Sequence, residues 1–197
     1  VLPNPMYHVY MGAALTSGAE VVFAPCTRQT DFAPDLSVVA QEDWERVALV
    51  IATNPGNPTG ALLSAAFMKS IILRAREHDF TYLSDECYSE LYFDAKPLGA
   101  LDICRDLGGS LDNVWVVNSL SKRSGLPGLR SGFVAGDADR LEDLYYMRGY
   151  GGAQTPVALQ DAAIALWRDE RHVEGFRQRY AAINQDAQEA FAGLPGS

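Results

Sequence analysis

Short apolar segments alternate with longer amphipathic segments along most of this chain, and this alternation constrains the fold more than any other feature. The segment Val47–Ala52 is apolar on both faces, as a strand covered on two sides requires. Strands that alternate with helices are typical of an α/β fold with a largely parallel sheet. We therefore predict a three-layer α/β/α domain with a mostly parallel sheet, whose strands are Glu20–Ala24, Val47–Ala52, Phe80–Leu83, Val114–Asn118 and Gly132–Ala135.

The amphipathic segments predict the helices, and the segment that follows Ser64 is the clearest. Leu63, Phe67, Ile71 and Ala75 form one apolar stripe, and Ser64 is a suitable N-cap. The last predicted helix also has an apolar stripe that indicates a core-facing side: Val173, Phe176, Tyr180, Ile183 and Ala187. The full set of predicted helices is Tyr7–Ser17, Ser64–His78, Ala138–Tyr146, Val157–Asp169 and Arg171–Ala192, with a loop over Tyr150–Pro156.

Composition excludes several classes of partner. The formal net charge of −9 argues against a nucleic-acid partner, because phosphate backbones need a basic surface. No apolar stretch reaches membrane-spanning length, and the first residues carry no signal-like segment, so no membrane partner is expected.

Cys26, Cys87 and Cys104 have the spacing of neither a zinc site nor a disulfide framework. We expect reduced, mostly buried thiols in a cytoplasmic protein, and no metal.

Polar side chains follow three of the predicted strands, at the point where each strand ends. Asn54 and Asn57 follow one strand, Asp85 follows a second and Lys122 follows a third. Ligands of open α/β sheets collect at the carboxyl ends of the strands, so we expect these side chains to converge on one edge. A lysine at the end of a buried strand, flanked by hydroxyls and followed by Arg130, is typical of an amine that attacks a carbonyl carbon to form a Schiff base.

Three segments in this order resemble the class I/II aminotransferases, a group of fold-type-I pyridoxal-phosphate enzymes: Asn54–Gly60, Ser84–Tyr88 and Ser119–Gly132. The resemblance covers nearly the whole chain and implies pyridoxal 5'-phosphate as the cofactor. It implies that Lys122 carries the cofactor and shuttles the substrate's α-proton. It further implies that Asp85 keeps the pyridine nitrogen of the cofactor protonated, and that Tyr88 is a third catalytic residue.

The same resemblance assigns the remaining contacts to the cofactor. Asn57 and Tyr88 would hydrogen-bond the ring oxygen, and Asn57 could also contact the substrate carboxylate. Tyr7 would stack on the ring, with simple core packing as the alternative. The phosphate ligands would be Ser119 and Arg130, with Ser121 as a possible third.

The resemblance also implies a domain organisation. Residues 1–155 would be the cofactor-binding large domain, without its N-terminal part and its glycine-containing phosphate loop. Residues 156–197 would be helices that lead to a small domain, and the family's substrate-binding arginine would lie beyond this sequence. The resemblance implies a homodimer as well.

Further segments are similar to the bacterial succinyldiaminopimelate aminotransferases of lysine biosynthesis: Ser84–Asp94, Pro97–Leu101, Ser121–Asp137 and Trp167–Val173. That similarity implies a reaction in which glutamate donates nitrogen to a succinylated keto-diacid and leaves as 2-oxoglutarate. Two alternatives stay open. One is another enzyme with this fold and cofactor, such as a carbon–sulfur lyase or a decarboxylase, and the other is an aminotransferase-like sensor domain of a transcription regulator.

Overall fold

The computed structural model describes residues 1–152 and 154–193, and the chain divides into two compact units. The first unit comprises Val1–Glu86, Pro97–Asn118 and Phe133–Gln154. The second comprises Cys87–Lys96, Ser119–Gly132 and the chain from Thr155 onward. The predicted domain assignment, with its boundary at residue 155, stays a prediction, and its last residues, 194–197, lie outside the described part of the chain.

The main sheet has four strands in the order β3 (Leu49–Thr53), β4 (Thr81–Asp85), β5 (Val114–Ser119) and β6 (Gly132–Gly136). The strands β3, β4 and β5 are parallel, with Thr53 opposite Asp85 and Asp85 opposite Val117. The strand β6 runs antiparallel to β5, because Asp137 N donates to Val114 O (2.9 Å) at one end and Leu120 N to Ser131 O (3.1 Å) at the other. This mixed α/β arrangement, a mostly parallel sheet flanked by helices, confirms the predicted fold class.

The first residues form a second, smaller sheet that the sequence analysis did not predict. It pairs β1 (Leu2–Asn4) with β2 (Phe23–Pro25) in parallel. The predicted strand Glu20–Ala24 is therefore placed too early by three residues at its start. The strand β1 has only three residues, one of them a proline, so it carries no periodic signal that could reveal it.

Both units contain helices. They are α1 (His8–Thr16), α2 (Ala65–Glu77), α3 (Ala100–Asp106), α4 (Leu120–Arg123), α5 (Ala138–Gly151), α6 (Val157–Arg168) and α7 (Arg171–Phe191). Ser64 caps α2 as predicted, because its hydroxyl accepts from Phe67 N at 3.1 Å. The core between α2 and the sheet is formed by fully buried side chains that include Trp44, Met68, Ile71 and Phe80.

Two helical predictions need correction. The helix α5 continues to Gly151 rather than ending at Tyr146, because a glycine weakens a helix by only about 1 kcal/mol and no proline interrupts it. The predicted loop over Tyr150–Pro156 therefore starts later, and its residue Ala153 lies outside the described residues. The predicted stripe of α7 is buried only at its start, since Val173 is 2% exposed whereas Ile183 is 54% exposed.

The prediction of mostly buried thiols is also wrong. Of the three cysteines, only Cys104 is buried, and Cys26 and Cys87 are partly exposed. Among residues 1–152 and 154–193, no helix combines the length and the apolar character that crossing a bilayer requires.

Candidate active site

Asp85 ends β4 in the first unit, and a tyrosine from α1 holds its carboxylate. Asp85 is 9% exposed, and Tyr10 OH donates to its Oδ2. The same hydroxyl lies 3.1 Å from Thr53 Oγ1, on the strand end opposite Asp85 in the sheet register. A buried tyrosine hydroxyl needs a polar partner, and these two strand ends supply it. The tyrosine therefore fixes the direction of a carboxylate at the carboxyl edge of the sheet.

Tyr10 was not predicted as a site residue from the sequence, although Tyr7, one helical turn earlier, was. Tyr7 precedes α1 and is 41% exposed, so it is not a core residue. Its ring meets the Tyr10 ring edge-on, with a centroid separation of 5.7 Å. The spacing of three residues puts both rings on one side of the helix, and this spacing was the signal that could have found Tyr10.

The two asparagines that follow β3 have different surroundings. Asn54 is fully buried, and its side chain donates to Leu98 O (2.8 Å) and accepts from Leu63 N (3.0 Å). Asn57 is half-buried and lines a small cleft together with Cys26 and Phe32. Asn54 therefore stabilises its loop through hydrogen bonds, whereas Asn57 lines an open cleft.

Glu86 is a second buried carboxyl group, directly after Asp85, that the sequence analysis did not select. It is 8% exposed and accepts from Ser84 Oγ (3.0 Å) and from Ala100 N (2.7 Å). Burial raises the pKa of Glu86, and the two hydrogen bonds oppose that shift only in part. The carboxyl group fastens the start of α3 to the end of β4, so its role is structural.

In the second unit, Lys122 lies on the short helix α4, which begins directly after β5. Ser119 caps this helix, because its Oγ accepts from Ser121 N at 3.1 Å. The two hydroxyl groups of Ser119 and Ser121 lie 2.9 Å apart. The hydroxyls are therefore grouped at the N-terminal end of the helix that carries the lysine.

The amine of Lys122 faces an aromatic ring. Its Nζ lies 5.3 Å from the centroid of the Tyr88 ring, within the range of a cation–π contact. Lys122 is exposed and Tyr88 is half-buried. The lysine is thus accessible, and its amine is directed toward the ring that the sequence analysis paired with the cofactor oxygen.

Arg130 ends the turn after α4 in an unusual backbone conformation. Its φ is 52°, in the left-handed region that non-glycine residues seldom adopt. Its side chain is exposed, and NH1 donates to Pro127 O at 2.7 Å. This contact fixes one arm of the guanidinium group within the turn.

The predicted site residues are thus distributed over the two units. Tyr7, Asn57 and Asp85 belong to the first, and the second contains Tyr88, Ser119, Ser121, Lys122 and Arg130. The residues of the second unit offer an amine, hydroxyls and a guanidinium group, which suit a phosphorylated aldehyde, and those of the first offer a carboxylate and an aromatic ring, which suit a pyridine ring. Within the described residues, His, Cys, Asp and Glu side chains form no group of three or more that could hold a metal ion.

Comparison with known proteins agrees with this chemistry. Residues 1–195 match the family model "Aminotransferase class I and II". A curated relative, the 4-dedimethylamino-4-oxo-anhydrotetracycline transaminase OxyQ of Streptomyces rimosus, is 39% identical over 70% of this chain and 38% of its own length. Several other relatives are LL-diaminopimelate aminotransferases, for example one 30% identical over 91% of this chain.

Solved structures give the same picture. An aminotransferase from Neisseria meningitidis is 43% identical with a TM-score of 0.87, and the match covers 92% of this chain and 46% of that one. A probable N-succinyldiaminopimelate aminotransferase from Thermus thermophilus is 26% identical with a TM-score of 0.86, over 98% and 51% of the two chains. The chain therefore spans about half the length of these proteins or less. It belongs to the class I and II aminotransferases, a family of pyridoxal-phosphate-dependent enzymes.

Proposed function

We propose that the protein to which this chain belongs is an aminotransferase that moves an amino group between an amino acid and a 2-oxo acid. One observation carries the proposal: Lys122 follows a central strand on a serine-capped helix, with its amine exposed and facing Tyr88. The family match over residues 1–195 supports it.

The cofactor would be held covalently through Lys122. Bound pyridoxal phosphate supplies an electron-withdrawing ring that makes the α-proton of the substrate acidic. The Lys122 amine would hold the aldehyde carbon of the cofactor and, in its free form, would carry the α-proton of the substrate. Asp85 keeps the ring nitrogen protonated, and the hydrogen bond from Tyr10 directs its carboxylate.

The remaining side chains would orient the cofactor. Arg130 and Ser119 bind the phosphate, with Ser121 as a further donor, because a guanidinium fork and hydroxyls match phosphate oxygens. Tyr88 and Asn57 hold the ring oxygen, and Asn57 also reaches the substrate carboxylate. Tyr7, which is exposed rather than packed in the core, stacks on the ring.

For the substrate, we propose glutamate as donor and a succinylated keto-diacid as acceptor, in the diaminopimelate branch of lysine biosynthesis. The segments Ser84–Asp94 and Trp167–Val173 support this choice by their similarity to succinyldiaminopimelate aminotransferases. The structural match to a probable N-succinyldiaminopimelate aminotransferase supports it too. The rival acceptor is the same keto-diacid without the succinyl group, as the diaminopimelate relatives indicate.

An assay of the full-length protein separates these reactions. Glutamate formed from 2-oxoglutarate with N-succinyl-LL-diaminopimelate, and not with LL-diaminopimelate, supports the succinylated substrate. The reverse preference moves the assignment to the rival acceptor. Ammonia or thiol release without glutamate identifies a lyase and contradicts amino transfer. The Lys122→Ala variant should form no glutamate in either assay.

We further propose a cytoplasmic homodimer. The helix α5 exposes large side chains on one face, with Tyr146 68%, Met147 69% and Tyr150 80% exposed. A second subunit that covers this face would remove a large apolar area from water. The cysteine spacing, which fits no disulfide framework, is consistent with a reducing compartment. Sedimentation of the full-length protein and of a Tyr146→Glu, Tyr150→Glu variant tests the dimer, which the double variant should dissociate.

A further inference from the structure

The helix that carries Lys122 is too short to hold its own orientation. The helix α4 has only four residues, and an isolated helix of that length is unstable in water because it closes a single turn. Its N-terminal end is fixed by the Ser119 cap. The direction of the Lys122 side chain therefore depends on what holds the other end, which consists of Arg123 and Ser124.

Arg123 is buried at the junction between α6 and α7, although it is a charged residue. It is 4% exposed, and its guanidinium group donates to Leu166 O (3.0 Å) and to Glu170 Oε1. It also lies over the Trp167 ring, with 5.1 Å between Cζ and the ring centroid. Hydrogen bonds in two directions and a stacking contact require the planar fork of arginine, and a lysine could not replace it.

Ser124, the next residue, is bound by a histidine from the same junction. Ser124 is 3% exposed, and its Oγ lies 2.8 Å from His172 Nε2. The other ring nitrogen of His172 lies 3.3 Å from Asp169 Oδ2. Because a carboxylate only accepts, Nδ1 carries the proton toward Asp169, and in the neutral ring Nε2 accepts from the serine hydroxyl.

The Ser–His–Asp order of these contacts matches that of hydrolytic enzymes, but the burial of Ser124 argues against a nucleophile. A nucleophilic hydroxyl must be reached by its substrate, and a side chain that is 3% exposed is not accessible. The chain of contacts instead joins α7 to the residue two places after Lys122. We call the set formed by Arg123, Ser124, Asp169, Glu170 and His172 the junction clasp.

The helix α7 also holds the segment that carries Tyr88. Arg177 donates to Glu90 O (3.3 Å) and to Glu90 Oε2 (2.9 Å), and its Cζ lies 4.2 Å from the centroid of the Tyr92 ring. One helix thus fastens the backbone beside Lys122 through His172 and the segment after Tyr88 through Arg177. Both partners of the Lys122–Tyr88 contact are anchored to the same rigid element.

We propose that the junction clasp positions the Lys122 amine, so that Arg123, Ser124 and His172 are positioning residues for the lysine that carries the cofactor. This inference rests on the proposed function, since it needs Lys122 to react with an aldehyde. A misplaced amine reacts more slowly because fewer of its conformations have reactive geometry. The segment Trp167–Val173, which is similar to one group of aminotransferases, contains three clasp residues, Asp169, Glu170 and His172. Positioning of Lys122 would give that similarity a physical reason.

The test measures how fast Lys122 reacts with added pyridoxal phosphate. Full-length protein stripped of cofactor is mixed with pyridoxal phosphate and quenched with borohydride at successive times, and the modified Lys122 peptide is quantified by mass. In Ser124→Ala and His172→Ala we expect a rate about tenfold lower, as the loss of one buried hydrogen bond implies. The double variant should be no slower than either single variant, because both remove the same bond.

Two further variants separate positioning from general stability. His172→Gln can still bond to Ser124, so it should restore most of the rate. His78→Ala is the matched control, since His78 is also half-buried and bonds to a carboxylate, at 3.1 Å from Glu45 Oε1, but lies in the first unit. It should leave the rate unchanged even if it lowers the melting temperature.

The outcomes distinguish the two proposals. In one outcome, clasp variants have a lower melting temperature while pyridoxal phosphate still modifies their Lys122 at the wild-type rate. That result would show that the clasp only stabilises the fold. It would overturn this inference and leave the proposed function intact. A wild-type protein that acquires no modification at Lys122 would refute the proposed function and this inference with it.

Discussion

The two asparagines of the Asn54–Gly60 segment should have separable roles, although they lie three residues apart. Replacing Asn54 by alanine removes the bond to Leu63 N, a buried amide, and the bond to the more exposed Leu98 O. Leaving the buried amide unsatisfied costs about 1–3 kcal/mol, and losing the second bond costs roughly 0.5–1.5 kcal/mol. We expect Asn54→Ala to lower the free energy of unfolding by about 1.5–4.5 kcal/mol, or the melting temperature by roughly 3–18 °C.

Replacing Asn57 by alanine should leave the stability nearly unchanged and affect cofactor binding instead. Asn57 is half-buried, and its side chain forms no hydrogen bond with the described residues, so the stability should change by less than about 0.5 kcal/mol. Its loss should instead weaken the binding of pyridoxal phosphate. Urea unfolding followed by circular dichroism measures the first effect, and titration of stripped protein with the cofactor measures the second. Equal unfolding curves for Asn54→Ala and wild type, or a large destabilisation by Asn57→Ala, would refute this division of roles.

Three other changes have defined outcomes. Gly125→Ala should lower the melting temperature, because Gly125 has a φ of 63° and an added Cβ would lie 2.9 Å from Phe176 Cζ; a wild-type melting curve would contradict that packing. Burial raises the pKa of Glu86 in the folded state. The protonated carboxyl group therefore contributes stability that is fully present below the ordinary glutamate pKa and is lost as the pH rises through the higher folded-state pKa. The free energy of unfolding should therefore fall with rising pH across that window in the wild type, and Glu86→Gln should flatten the fall; an unchanged slope would show that Glu86 is not its source. Arg130→Ala should raise the dissociation constant of pyridoxal phosphate at least tenfold while pyridoxal without phosphate binds as before, and an equal loss for both would remove Arg130 from the phosphate site.

Local patterns were sufficient to predict the main strands and the principal helices. The strand β3 is apolar on both faces, and α2 has an apolar stripe and a serine cap, so each can be predicted from a few consecutive residues. The residues Asp85 and Lys122 could be selected for the same reason, because Asp85 ends the strand β4 and Lys122 lies three residues after the end of β5. These features depend only on residues that are close together in the sequence, so one sequence is enough to predict them.

Contacts between distant residues could not be predicted. Tyr10 reaches Asp85 across 75 positions, and Arg123 reaches Glu170 across 47. The spacing from Tyr7 places Tyr10 on the same side of α1, but nothing local to Tyr10 indicates that its hydroxyl reaches Asp85. Glu86 was overlooked because a charged residue after a strand is usually exposed, whereas here Ala100 N and Ser84 Oγ satisfy it in the interior.

The central claim is that one particular amine carries the cofactor, and the chain provides its own controls. It contains three lysines, Lys69, Lys96 and Lys122, and all three are exposed. The direct measurement is borohydride reduction of the full-length protein loaded with pyridoxal phosphate, followed by digestion and peptide mass analysis. We predict the cofactor mass on the Lys122 peptide alone among these three. Modification of Lys69 or Lys96 to the same extent, or no modification of Lys122, would contradict the account.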